Sequence, residues 1–153
     1  MIREYTTADR QACLGIFDSN CSQYFDPSER EYIENWLTAQ DEGRPTYPNS
    51  AGDRFYVLEY EGNVIACGGF YLLKDEHAVS ISWGMVHVGH HRKGFGRQLF
   101  QYRLDVIRKL RPDAKILLDT SQHTFGFFEK MGMKIKAVTK DGYGEGLDRY
   151  DME

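Results

Sequence analysis

No apolar stretch of this 153-residue chain approaches the roughly 18–20 residues of a bilayer-spanning helix, so no membrane partner is expected. Cysteine is scarce. Cys13, Cys21 and Cys67 lie far apart and form no CxxC pair, which fits reduced thiols better than a disulfide framework. The opening MIREYTTADR is polar and charged, unlike a signal peptide, and together these features point to the cytoplasm. No repeat, low-complexity tract or linker interrupts the chain, so one domain spanning residues 1–153 is expected. The net charge is only −4, which argues against a nucleic-acid partner.

What is present is an ordinary globular balance, 41% apolar and 27% charged. The charge is unevenly spread. Residues 1–60 carry 11 acidic and 5 basic side chains, whereas the basic excess gathers around Arg92, Lys93, Arg97, Arg103, Arg108, Lys109 and Arg111. One half thus suits a cation and the other an anion, although solvated surface explains the same pattern equally well.

The hydrophobic periodicities predict a strand over Ile2–Tyr5 and a helix to about Phe17, capped by Thr7 or Asp9. A second helix is expected over Pro27–Ala39, then a loop over Asp41–Asp53. RFYVLEY and VIACGGFYLL flank the turn Glu61-Gly62-Asn63 as a hairpin, and AVSISWGMVHV gives another strand. A helix from about Gly94 to Leu110 carries Phe95, Leu99, Tyr102, Val106 and Leu110 at helical spacing and stops before Pro112. KILLD reads as a strand and Thr124–Met131 as a helix closed by Gly132; IKAVTK and LDRYDM form a last hairpin around DGYGEG. The fold class is therefore α/β (α+β): a mixed, mostly antiparallel sheet with one parallel β-α-β segment and helices on both faces.

The most informative stretch runs from Met85 to Arg97, where a strand ends, a polar loop turns and glycines open a helix. The first-turn amides of a helix lack internal partners and favour anions. Gly94 and Gly96 remove side chains that would keep a pyrophosphate from those amides, and Arg92, Lys93 and Arg97 add positive charge. The Walker pattern is missing, and so is the Rossmann glycine triplet after a first strand.

His91-Arg92-Lys93-Gly94-Phe95-Gly96 resembles motif A of the GNAT superfamily (Gcn5-related N-acetyltransferases), Gln/Arg-x-x-Gly-x-Gly/Ala, with His91 in place of Gln/Arg. Ser121…Phe127-Phe128-Glu129-Lys130-Met131-Gly132-Met133 resembles the family's second motif. The order of elements matches as well. The resemblance implies acetyl-CoA as co-substrate, no metal, and acetyl transfer to a primary amine of a small molecule or peptide. It implies that Val86, His87, Val88, His91–Arg97, Ser121 and Phe128 line the donor site. Backbone groups of Val86 and Val88 would pair with the pantetheine arm, and an amide near Val86 would polarise the thioester carbonyl. A homodimer is common among such proteins.

The acid–base groups differ from the family pattern. Relatives place Glu or His where this chain has Ser80 and Ser82, so a water held by Ser82 is the expected base. The family's acidic tyrosine aligns with Phe128, leaving water or Tyr143 to protonate the thiolate. His87 alternates away from Val86, which suggests a structural role, and Ser121 serves equally well as a helix cap. Trp36, Trp83, Phe125, Phe127 and Phe128 read as core. Asp18, Asp26, Glu29, Glu31 and Glu34 form a candidate acidic rim for a cationic acceptor. With the usual acid and base both missing, a non-catalytic acyl-CoA-binding module is the alternative.

Overall fold

The computed structural model describes residues 1–153. Its strands are β1 (Ile2–Glu4), β2 (Ser50–Tyr60), β3 (Asn63–Leu73), β4 (Ala78–Val86), β5 (Lys115–Thr120), β6 (Ile135–Gly144) and β7 (Leu147–Met152). Its helices are α1 (Arg10–Asn20), α2 (Arg30–Glu42), α3 (Phe95–Leu110) and α4 (Phe125–Lys130). The seven strands form one sheet in the order β1-β2-β3-β4-β5-β7-β6. Only β4 and β5 pair in parallel, so the mixed, mostly antiparallel sheet is the one expected. No helix is long and apolar enough to cross a membrane.

The pleat sends alternate residues of β2 to opposite faces. Tyr56 and Leu58 join Phe70, Val79, Leu99, Phe100 and Ile107 under α3, whereas Phe55 and Val57 join Phe17, Ile33 and Trp36 under α1 and α2. On α3 the buried row is Leu99, Phe100, Arg103, Leu104 and Ile107. The expected stripe is therefore rotated. Tyr102 and Val106 pack at its margin, and Leu110 is exposed. Asp9 caps α1, one of the two caps expected, but a 3-10 turn over Thr7–Asp9 precedes it, opened by a capping box in which the Thr6 amide donates to Asp9 at 2.9 Å, and the helix runs on to Asn20. The Asp41–Asp53 loop is shorter than expected, since α2 continues to Glu42 and β2 begins at Ser50.

Two departures from regular pairing shape the middle of the sheet. Between β3 and β4, Cys67 faces Met85 and Gly69 faces Ser82, so Gly68 alone opposes Trp83 and Gly84. Trp83 takes a positive φ of 51° to make this bulge. Between β4 and β5 the parallel pairing runs only from Ala78↔Lys115 to Ser80↔Leu117. Beyond it, β4 continues to Val86 while Leu118–Thr120 of β5 pair with β7 instead. The strands therefore part, opening the sheet beside the bulge.

Candidate acetyl-donor and amine site

α3 begins at the open end of the split. Gly94 caps it with a φ of 86°, a conformation that glycine adopts without a Cβ clash, and no side chain satisfies the first amides. The first hydrogen bond of the helix is from Gln98 N to Gly94 O, and none of the amides from Arg92 to Arg97 donates within the chain. Arg92, Lys93 and Arg97 are exposed and form no ion pair. A Cβ on Gly96 would meet Val86 Cγ2 at 3.6 Å and the Phe127 ring at 4.0 Å, ordinary contacts. A side chain would therefore fit without moving its neighbours, and its absence leaves the helix start bare. These features fit a pyrophosphate: unmatched donors, three cations and no side chain in the way. Phe127, expected in the core, is instead exposed at the edge of this seat.

The backbone just before the turn is less open than expected. β4 stops at Val86, and Val88–His90 form a 3-10 turn. The Val86 carbonyl accepts from Asn20 Nδ2 at 2.9 Å and pairs with His91 Nε2 at 2.8 Å. The Val88 amide donates to Ser19 Oγ at 3.1 Å. These backbone groups are thus already partnered, because the end of α1 lies against the strand edge and buried polar groups must be matched. His91 acts through its ring, with Tyr24 edge-on at 5.2 Å. His87 Nδ1 accepts from the Gly89 amide at 3.1 Å and caps the turn, the structural place expected of it.

Ser121 Oγ likewise accepts from the His123 amide at 3.2 Å, and the Ser121 carbonyl takes the Thr124 and Phe125 amides, which anchors the turn into α4. Phe128 packs edge-on to Phe100 at 5.3 Å, so its ring is core.

On the other face, the segment between α1 and α2 meets β5 and the β6–β7 hairpin. Phe25 and Trp83 lie 6.0 Å apart, with Phe17 behind them. Leu118 points under α3, so Asp119 points to this second face. Asp119 Oδ2 accepts the Tyr143 hydroxyl at 2.5 Å, and Arg149 stands 3.8 Å from the same carboxylate. Burial, then Asp119, pushes the Tyr143 phenol well above its ordinary range, which makes it a reluctant proton donor. A side chain at Gly144 would collide with the Asp26 carboxylate, so the hairpin rests directly on the start of the segment leading to α2.

Glu29 sits between these pieces. One oxygen accepts from the Asp26 amide at 2.9 Å as part of a capping box. Burial is the main cause that lifts its pKa to about 7; the Asp26 amide opposes the lift, while the Asp119 and Asp26 charges add to it. The rest of the expected rim lies elsewhere: Asp18 and Glu34 both engage Arg30, and Glu31 is exposed. Ser82 is half-buried just before the bulge, and its hydroxyl has no partner in the chain. A concavity of about 360 Å³ between the end of α2 and β2 shares no residue with this site.

The acetyltransferase (GNAT) family matches residues 14–133 of the sequence. No curated protein matches it significantly. A protein from Desulfovibrio desulfuricans, described as an acetyltransferase of the GNAT family, has a similar structure, with a TM-score of 0.78 at 17% identity over 99% of this chain and 96% of that one. The ribosomal-protein-S18-alanine N-acetyltransferase of Escherichia coli gives 0.74 at 18% over 99% and 90%. A Salmonella typhimurium protein described as an acetyltransferase, solved with its cofactor acetyl-CoA, gives 0.72 at 20% over 99% and 91%. At such identities the structural likeness carries the fold alone.

Proposed function

Because the chain belongs to the GNAT acetyltransferase family, we propose that it transfers the acetyl group of acetyl-CoA to a primary amine by direct attack in a ternary complex. The observation that carries this reading is the start of α3, where unmatched amides and three unpaired cations meet across a glycine. The donor supplies an activated thioester; the chain's part is to hold it and to manage the amine's proton.

Arg92–Arg97 would seat the pyrophosphate, and the split between β4 and β5 would give the thioester access to the α1–α2 face. There Asp26, Glu29 and Asp119 favour a cationic amine, such as a polyamine, amino-acid or peptide amine. Glu29 takes the place of Ser82 as proton acceptor in this reading. A neutral hydroxyl can hold a water but cannot keep a proton, whereas a carboxyl group poised near neutrality can.

The test is release of free thiol from acetyl-CoA in the presence of pooled primary amines. The rival reading, an acyl-CoA-binding module, is motivated by Phe128 and predicts binding with no thiol release.

For the leaving group we favour water as the proton source, since the Tyr143 hydroxyl is committed to Asp119. Tyr143→Phe should therefore lower kcat far less than the ~10²-fold that loss of a general acid costs. A loss of that size, measured with the same thiol assay across pH, would restore Tyr143 as the acid.

A further inference from the structure

Arg103 is the one charged residue in the buried row of α3, and it is only 2% exposed. No carboxylate pairs with it, and desolvation lowers its pKa to about 10. A buried guanidinium without an acid costs stability, and an apolar side chain of similar length would fill the same space. The cation lies over the Phe100 ring at 5.7 Å, and its hydrogen bonds go to backbone carbonyls.

Nη1 donates to Gly69 O at 3.1 Å and reaches Ser82 O at 3.5 Å, while Nε reaches Leu99 O at 3.4 Å. Gly69 and Ser82 are the pair at which the β3–β4 register shifts, so these are the carbonyls beside the bulge. The group lies in a slot that two glycines keep open. A Cβ on Gly68 would sit 2.9 Å from Arg103 Cζ, and one on Gly84 would sit 2.7 Å from Nη2. Nη2 itself donates to no atom of the chain. Gly84, which it touches, is exposed on the stretch of β4 that has already parted from β5.

We propose that Arg103 is a positioning residue for acetyl transfer: its guanidinium clamps the Trp83–Gly84 bulge and so sets how the Gly84–Val86 edge presents its backbone donors to the thioester. This rests on the donor-site reading above. A bulge re-aims a strand, and unheld it is a local defect that can relax. Two contacts from Nη1, to the Gly69 and Ser82 carbonyls, tie both strands at the bulge while Nε anchors the fork to Leu99 O of its own helix, and lysine, a single flexible point charge, cannot reproduce this.

Arg103→Met is expected to lower kcat on the order of 10²-fold, the cost of misplacing a reacting group by about 1 Å. Coenzyme A affinity by calorimetry should stay within about threefold, because the pyrophosphate seat lies elsewhere on α3. Arg103→Lys should recover only part of the loss. The acceptor probes are putrescine, lysine and an alanine-initiated peptide.

A second readout needs no turnover: amide hydrogen exchange at Trp83–Val86 should quicken at least about tenfold in Arg103→Met, as a released segment opens more often. Unchanged kcat, coenzyme A affinity lost in step with kcat, or unchanged exchange would each overturn the proposal. Should Arg103→Met fail to fold, Gly84→Ala displaces the guanidinium without deleting it, and the same kcat loss and faster exchange are expected; wild-type values for both would overturn the clamp. If the wild-type protein releases no thiol with any probe, the acetyltransferase reading fails, and the exchange rates still decide the clamp.

Discussion

Glu29→Gln should lower kcat/KM for amine acetylation by about 10²–10³-fold, the range expected when a general base is removed. The substitution is chosen to leave the fold alone. Glutamine can keep the capping-box bond that Glu29 makes to the Asp26 amide, so the entry to α2 survives. What it removes is a group that loses its proton near pH 7. The wild-type profile of kcat/KM should accordingly rise through about pH 7, and the variant should lack that limb.

Burial sets this value first, and the charges of Asp119 on β5 and Asp26 on its own segment add to it; Cys21 on that segment and Tyr143 on the hairpin also face the carboxyl group. The sign for stability runs opposite to that for activity. The folded pKa is raised above the ordinary 4.5, so the half-buried carboxyl group leaves stability untouched below that value and destabilises the fold progressively as pH rises to about 7 and beyond. Glu29→Gln should therefore unfold at a higher temperature than wild type at pH 8 and at nearly the same temperature at pH 4. A capping residue with no chemical role would show wild-type kcat/KM and an unaltered pH profile in the glutamine variant.

Gly96→Val should weaken coenzyme A binding about 100-fold or more, since phosphate–amide bonds of roughly 1.5–3 kcal/mol each are at stake. Gly96 has no positive φ, and an added Cβ meets Val86 only at contact distance. Valine is also a better helix former than glycine. The fold should therefore hold, with circular dichroism and melting temperature close to wild type, while the side chain occupies the space above the first amides of α3. Removing single charges, as in Arg92→Ala or Lys93→Ala, should cost only about 1 kcal/mol each, because both are exposed and screened. Full affinity in Gly96→Val, measured by calorimetry, would move the pyrophosphate away from this helix.

What was legible in the sequence follows from what is locally encoded. The glycine turn, the helix behind it and the β2–β3 hairpin depend on glycines and on spacing within a few residues, and all three stand where the pattern puts them. Arg103 was not legible. A basic residue beside Arg97 and Arg108 reads as part of a solvated cationic face, and its burial depends on Gly68 and Gly84 in strands far away along the chain. Nor could the partners of Val86 and Val88 be read, because Ser19 and Asn20 reach them only once α1 packs on the sheet. Glu29 looked like one acid of several. Its perturbation arises chiefly from burial, and secondarily from the Asp119 charge on β5, neither of which the local sequence encodes. Phe127 carried an apolar signal that the periodicity of α4, only six residues long, was too short to assign to a face.

A donor held by the backbone at the start of α3 must perturb the amides there. Backbone amide shifts of the labelled protein on titration with acetyl-CoA test this placement most directly. The largest movements should fall on Arg92–Arg97, with the Gly96 amide among them. Saturable binding whose largest shifts fall instead on the α2–β2 concavity around Gln40, Arg44 and Arg54, or no binding at all, would contradict it.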